Sequence, residues 1–183
     1  MEEECFQANL VPQSFLKKID EIVMVLAAFT IQPISTIGNI DNQKIRANIN
    51  TNIFSQINML QQYVQYAEKE GKNIKIISLD SGAAYSPLKG WSMYCCGKAY
   101  MSMFLKCLML EKKCSVVLYD PGVVDTDMQA YIRTAREDVF DRVEEFREYQ
   151  SSGKLHSVQE VAENIYERYI VSWNPKSIME RFC

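Results

Sequence analysis

The sequence predicts an α/β fold, a parallel sheet flanked by helices, in one domain spanning residues 1–183. Three observations predict it. Apolar runs at Ile22 to Thr30 (IVMVLAAFT), Ile74 to Leu79 (IKIISL) and Ser115 to Tyr119 (SVVLY) are nearly continuous rather than alternating, as in strands buried on both faces. Between them lie segments of helix length whose apolar residues recur at three- and four-residue steps. The resulting order makes two β-α-β units, and such units have right-handed crossovers.

Each element follows in turn. Ile22 to Thr30 is the first strand. Asn42 to Lys69 carries Ile45, Ile49, Ile53, Ile57, Leu60 and Val64 as one helical stripe. After the second strand, Ser92 to Lys112 repeats the pattern with Met93, Ala99, Met103 and Leu108, and the third strand follows. Met128 to Gln150 is rich in charge but keeps Val139, Phe140, Val143, Phe146 and Tyr149, so it reads as one or two amphipathic helices. A turn, SSGK, comes next. Ser157 with Glu160 then fits a capping box ahead of Val161, Ala162, Ile165, Tyr166, Tyr169 and Ile170, and Pro175 closes that region.

Composition bounds the function. With 183 residues, 48% of them hydrophobic and 23% charged, the chain holds one ordinary core. Net charge is −3 with no basic run, so neither nucleic acid nor a membrane surface is an expected partner. The acidic start MEEECFQANL is unlike a secretion signal, and a cytoplasmic location is expected. Cys5, Cys95, Cys96, Cys107, Cys114 and Cys183 read as reduced thiols. Their spacing and the single histidine, His156, argue against a metal site.

Polar residues gather where parallel sheets bind ligands, beyond the strand ends: Asp80 and Ser81 after one strand, Asp120, Pro121 and Gly122 after the next. Tyr94 and Lys98 lie one helical turn apart and share a face. An ammonium beside a phenol lowers the phenol pKa, which suits proton transfer near neutrality. An amphipathic helix with an exposed lysine accounts for the same pair.

The wider pattern decides between those readings. Ser81, Tyr94 and Lys98, with Asn50 on the preceding helix and PGVVDTDMQ after the third strand, resemble the short-chain dehydrogenase/reductase family. KGWSMYCCGK and YDPGVVDTDMQAYIR are closest to its sepiapterin reductase and benzil reductase branch. The likeness runs from about Ile22 to about Ile170. It implies a Rossmann-like sheet and NADPH-dependent reduction of a carbonyl, a diketone or a pterin side chain. By the same resemblance Tyr94 is the general acid, Lys98 lowers its pKa and holds the nicotinamide ribose, Ser81 binds the carbonyl oxygen, and Asn50 holds a proton-supplying water. Pro121, Gly122 and Thr126 would line the nicotinamide pocket. Trp91, Tyr131 and Phe146 are the candidate substrate-binding residues.

The sequence also departs from that family. Its first forty residues hold one glycine, Gly38, and no glycine-rich phosphate-binding turn. Leu26, Ala27, Ala28 and Phe29 stand where the family has Asn-Asn-Ala-Gly, and Lys176 to Cys183 is a short tail. The expectation is therefore an N-terminally truncated domain with fewer strands than the family's seven. Its first strand becomes an edge, covered by residues 1–18 or by another chain. A homodimer through Asn42 to Lys69 and Ser92 to Lys112 is implied. Three outcomes stay open: a reductase completed by a second chain, a non-catalytic binding or partner module that has lost the cofactor site, and an inactive remnant.

Overall fold

The computed structural model describes residues 18–112, 114–175 and 178–182. Four parallel strands, β1 (Glu21–Leu26), β2 (Asn73–Leu79), β3 (Ser115–Asp120) and β4 (Met179–Arg181), lie side by side in that order. The first crossover is a continuous rod of α1 (Asn42–Ile49), a π-helical turn (Asn50–Phe54) and α2 (Ser55–Glu70). The second is α3 (Ser92–Glu111). After β3 come α4 (Asp127–Ile132), α5 (Val143–Ser151), α6 (Val158–Ile165) and a second π turn (Tyr166–Val171). The predicted α/β class, three strands and long helices are present, although the first strand, expected over Ile22 to Thr30, ends at Leu26. The tail adds what the sequence reading missed: β4 pairs Met179 with Leu118.

The sheet is covered unequally. One face packs Ile22, Met24, Leu26, Ile74, Ile76, Val116 and Leu118 against Leu60, Val64, Met101 and Leu105 of the crossover helices. On the other, Ile77, Val117 and Tyr119 meet Val161, Ile165 and Tyr169. Each fully buried Leu, Ile or Val contributes about 1.5–3 kcal/mol, so β2 and β3 are anchored from both sides, as their apolar runs predict. β1 departs from that prediction. Its Val23 is only partly buried and its Val25 is 43% exposed, because α6 packs over β2 and β3 while β1 is the edge of the described sheet. The cover expected from residues 1–18 lies, apart from Lys18, outside the described residues, as do Cys5 and Cys183.

The rod α1–α2 corrects the sequence in a second way. Leu60 and Val64 bury as expected, but Ile49 is 43% exposed, whereas Asn48, Asn52 and Gln56 are 1%, 0% and 6% exposed. These amides clamp the backbone that follows β1. Asn48 Nδ2 donates to the Gln32 carbonyl at 2.7 Å. Asn52 takes both backbone groups of Thr30, accepting from its N–H and donating to its carbonyl, each at 2.8 Å. Gln56 Nε2 donates to the Ala28 carbonyl at 2.8 Å. Four helical residues rise about 6 Å and two extended residues about 6.6 Å, so the two spacings match over three rungs. The side chains of Phe29 and Ile31, between the rungs, join the cluster around Trp91, Tyr94 and Phe140.

Local signals end the helices where expected. Asp41 caps α1 by accepting from the Gln43 and Lys44 N–H groups, and the predicted Ser157–Glu160 capping box opens α6. The described Cys95, Cys96, Cys107 and Cys114 are free thiols. Among the described residues no helix is long and apolar enough to cross a membrane.

Candidate functional site

Ser81 leaves β2 in an extended conformation. Its Oγ accepts from the Ala83 N–H at 3.2 Å, which starts a short 3-10 turn, and its hydroxyl lies near the Tyr94 phenol. Tyr94 and Lys98 occupy the first turns of α3, and both are buried. Lys98 Nζ donates to the Leu79 carbonyl at 2.6 Å, tying the helix to the end of the strand. All three line one cavity of about 970 Å³ beyond the strand ends, together with Pro121, Gly122, Thr126, Trp91 and Phe146. Its size falls at the upper end for small-molecule pockets, which run about 300–1,000 Å³. Trp91 stacks on Phe140 with centroids 4.7 Å apart and meets Tyr94 and Phe146 edge-on.

Two predicted site residues lie elsewhere. The Asn50 side chain is exposed, and its carbonyl accepts from Ser55 Oγ at 2.7 Å. The asparagine of this stretch that faces inward is Asn52, whose Cβ would lie 3.5 Å from a Cβ placed on Gly97. Two residues are about 200° of helix rotation, so Asn50 and Asn52 point to opposite sides of the rod. Tyr131 is 37% exposed and lines a separate cavity of about 200 Å³ with Ile34 and Thr134. It sits on the outer side of α4, whose buried positions are Gln129 and Ile132.

Phe29 closes the site from the β1 side. Its ring meets Tyr94 edge-on at 5.5 Å, and Lys98 Nζ stands 4.0 Å from its centroid. A Cβ on Gly97 would lie 3.0 Å from the Phe29 ring, so any larger residue there would press the ring away from its present place. The short loop after β3 is built as closely. Gly122 has φ +71°, a Cβ on it would press the His156 ring at 3.2 Å, and its N–H donates to Asp120 Oδ1 at 3.0 Å.

Burial dominates the electrostatics. The Tyr94 phenol is pushed up to about 12, chiefly by desolvation, with the Ser81 hydrogen bond opposing and Asp80 and Asp120 adding to the rise. Lys98 is pulled down to about 8, again by desolvation, against the pull of Asp80 and Asp120. The net direction for Tyr94 is thus upward, opposite to the lowering expected from a neighbouring ammonium, because desolvation outweighs the effects that oppose it. Asp80 accepts from the Tyr85 hydroxyl at 2.6 Å, and that hydroxyl lies 2.9 Å from Ser102 Oγ. The arrangement therefore offers a protonated phenol, a serine hydroxyl and a buried amine on an apolar wall, groups suited to a carbonyl.

Comparison with known proteins follows the same lines. The family model described as short chain dehydrogenase matches residues 7–137. A benzil reductase ((S)-benzoin forming) of Bacillus cereus is 31% identical over 153 residues, covering 80% of this chain and 61% of that protein. Sepiapterin reductase of Bos taurus is 34% identical over 91 residues, 49% of this chain and 34% of the other. The crystal structure of the KRED1-Pglu enzyme covers 92% of this chain and 71% of its own, with TM-score 0.79 at 23% identity; at that identity the likeness concerns the fold. The chain thus spans less than two thirds of the benzil reductase it matches.

Proposed function

The chain belongs to the short chain dehydrogenase family, and from that premise we propose that its cavity reduces a carbonyl compound with Tyr94 as proton donor. The observation that carries this reading is the convergence of Ser81, Tyr94 and Lys98 on one apolar cavity, with the Ser81 hydroxyl near enough to the Tyr94 phenol to act on its ionisation. A carbonyl oxygen placed at that pair meets two hydroxyl donors. As negative charge develops on the oxygen, hydrogen bonds to it strengthen and the phenol gives up its proton. A phenol with a pKa raised to about 12 is fully protonated at neutral pH, which suits the acid role.

A nicotinamide dinucleotide supplies the hydride when bound, NADP being the form that the resemblance implies. The residues fit its nicotinamide end: Lys98 would hold the ribose, and Pro121, Gly122 and Thr126 would face the ring. Its phosphate end has no matching cradle, because among the described residues no glycine-rich turn opens a helix onto the cavity. A second chain completing the sheet beside β1 would supply one. A diketone such as benzil is the substrate class that the relatives suggest.

Phe29 over Lys98 favours a second reading, a non-catalytic module that holds a carbonyl ligand in the same cavity. One experiment separates the two. The chain is mixed with NADPH, benzil and a separately expressed glycine-rich β-α-β fragment of a relative, and benzoin is measured by chromatography. Tyr94-dependent benzoin supports the reductase; cofactor binding without benzoin leaves the binding module.

The same premise supports a homodimer. Ile49 and Phe54 on the first rod, with Tyr100 and Met103 on α3, are exposed apolar side chains on the two helices expected to form it. Light scattering at micromolar concentration tests it, and a clean monomer removes it.

A further inference from the structure

Lys98 stands apart from the other described cations. It is 5% exposed, it takes part in none of the ion pairs among the described residues, and its one hydrogen bond goes to a backbone carbonyl. A neutral amine can donate to Leu79 as an ammonium does, and its lone pair then remains available. Phe29 covers the amine with carbon, and the cavity it lines is walled by Trp91, Ile132 and Phe146. The charged groups facing it from neighbouring elements are Asp80 beyond β2 and Asp120 beyond β3; on its own helix it faces Tyr94.

We propose that Lys98 is a nucleophile that captures aromatic aldehydes and ketones in this cavity as a reversible imine, an activity separate from hydride transfer. The Nζ lone pair attacks the carbonyl carbon while the Tyr94 phenol protonates the oxygen, giving a carbinolamine after nitrogen returns its proton to the phenolate. A second proton from Tyr94 lets the hydroxyl leave as water, and the nitrogen lone pair forms the C=N bond. The products are an iminium, which loses its proton to Tyr94, and water. No oxidant or reductant takes part. Desolvation also favours the free amine: with a pKa near 8 rather than 10.5, Lys98 holds roughly three-hundredfold more of it near neutrality than an ordinary lysine.

The test uses benzaldehyde with sodium cyanoborohydride, which fixes an imine as a benzylamine, followed by intact mass and peptide mapping of the full chain. The expected result is one benzyl group, on Lys98, formed faster as pH rises toward about 8. Lys98→Arg abolishes that label. Tyr94→Phe slows its formation more than tenfold, roughly the contribution of a positioned acid, with circular dichroism unchanged. Mapping of the unsubstituted chain does not depend on either variant folding. Labelling spread over surface lysines, or a benzyl group anywhere but Lys98, overturns the proposal. The assay involves neither NADPH nor reduction by the protein, so its failure leaves the reductase reading standing, and the failure of that reading leaves this one.

Discussion

Two of the strand-end junctions that face the cavity are built on opposite principles. At the β2–α3 junction, polar side chains point inward: Ser81, Tyr94 and Lys98 reach the cavity, and Lys98 bonds to the strand end. At the β1–α1 junction, polar side chains are spent on backbone. Asn48, Asn52 and Gln56 bind Gln32, Thr30 and Ala28, and what reaches the cavity is Phe29 and Ile31. One side supplies reactive groups and the other supplies the wall that desolvates them. The unusual ionisation of Lys98 is thus set as much by β1 as by its own helix.

The comparison can be broken at the reactive side first. Tyr94→Phe removes the proposed proton donor while keeping the ring that packs on Phe29 and Trp91. Reduction by the complemented protein should fall about 10²–10⁴-fold with the melting temperature nearly unchanged, as product assays and calorimetry would show. On the clamping side, Asn52→Leu leaves the Thr30 N–H and carbonyl without their partner. Two partly buried backbone groups stranded in this way cost about 2–4 kcal/mol, read from urea denaturation, whereas Asn50→Ala at its exposed neighbour should stay within about 0.5 kcal/mol.

A third test follows proton linkage. The folded Lys98 pKa, about 8, lies below the ordinary 10.5, so charging the amine favours the unfolded chain. Stability from this group is complete above the unfolded value and is lost as pH falls through about 8. Between pH 8 and 10, then, the native chain should gain on the order of 2 kcal/mol relative to Lys98→Met. Cys95 and Cys114, raised by burial, act in the opposite sense but equally in both proteins. A flat difference between the two denaturation midpoints would show that the amine is solvated. The smallest expected change is at the wall. Phe29→Gly should tighten nicotinamide mononucleotide binding by about tenfold, the equivalent of one modest contact regained (about 1.4 kcal/mol), in a calorimetric titration.

What the sequence made legible was local. Continuous apolar runs marked three strands, the Ser157–Glu160 spacing marked a cap, and the offsets among Ser81, Tyr94 and Lys98 marked the reactive junction, because each signal lies within a few turns of chain. What stayed hidden depended on distant partners. Asn50 and Asn52 are indistinguishable until the extended segment at Thr30 is seen to lie against one of them. Tyr131 faces outward because Gln129 and Ile132 take the buried side of α4. The Tyr94 ionisation reversed because burial, which spacing does not report, outweighs a neighbouring charge. β4 was missed because Met179–Arg181 is a three-residue strand with no run of its own.

The amide clamp also says which changes of length the chain can absorb. Its three rungs read helix positions 48, 52 and 56 against backbone positions 32, 30 and 28, in that order. A residue added or deleted between Asn48 and Gln56 turns the downstream part of the rod by about 100° and carries the remaining rungs off their partners. The stretch from Ser35 to Ile40, outside the rungs and outside any helix or strand, tolerates the same edit, since lengthening a surface loop costs little. Insertions in related chains should therefore collect in that loop and avoid the nine positions from Asn48 to Gln56, a pattern set by the pitch of a helix laid along an extended strand.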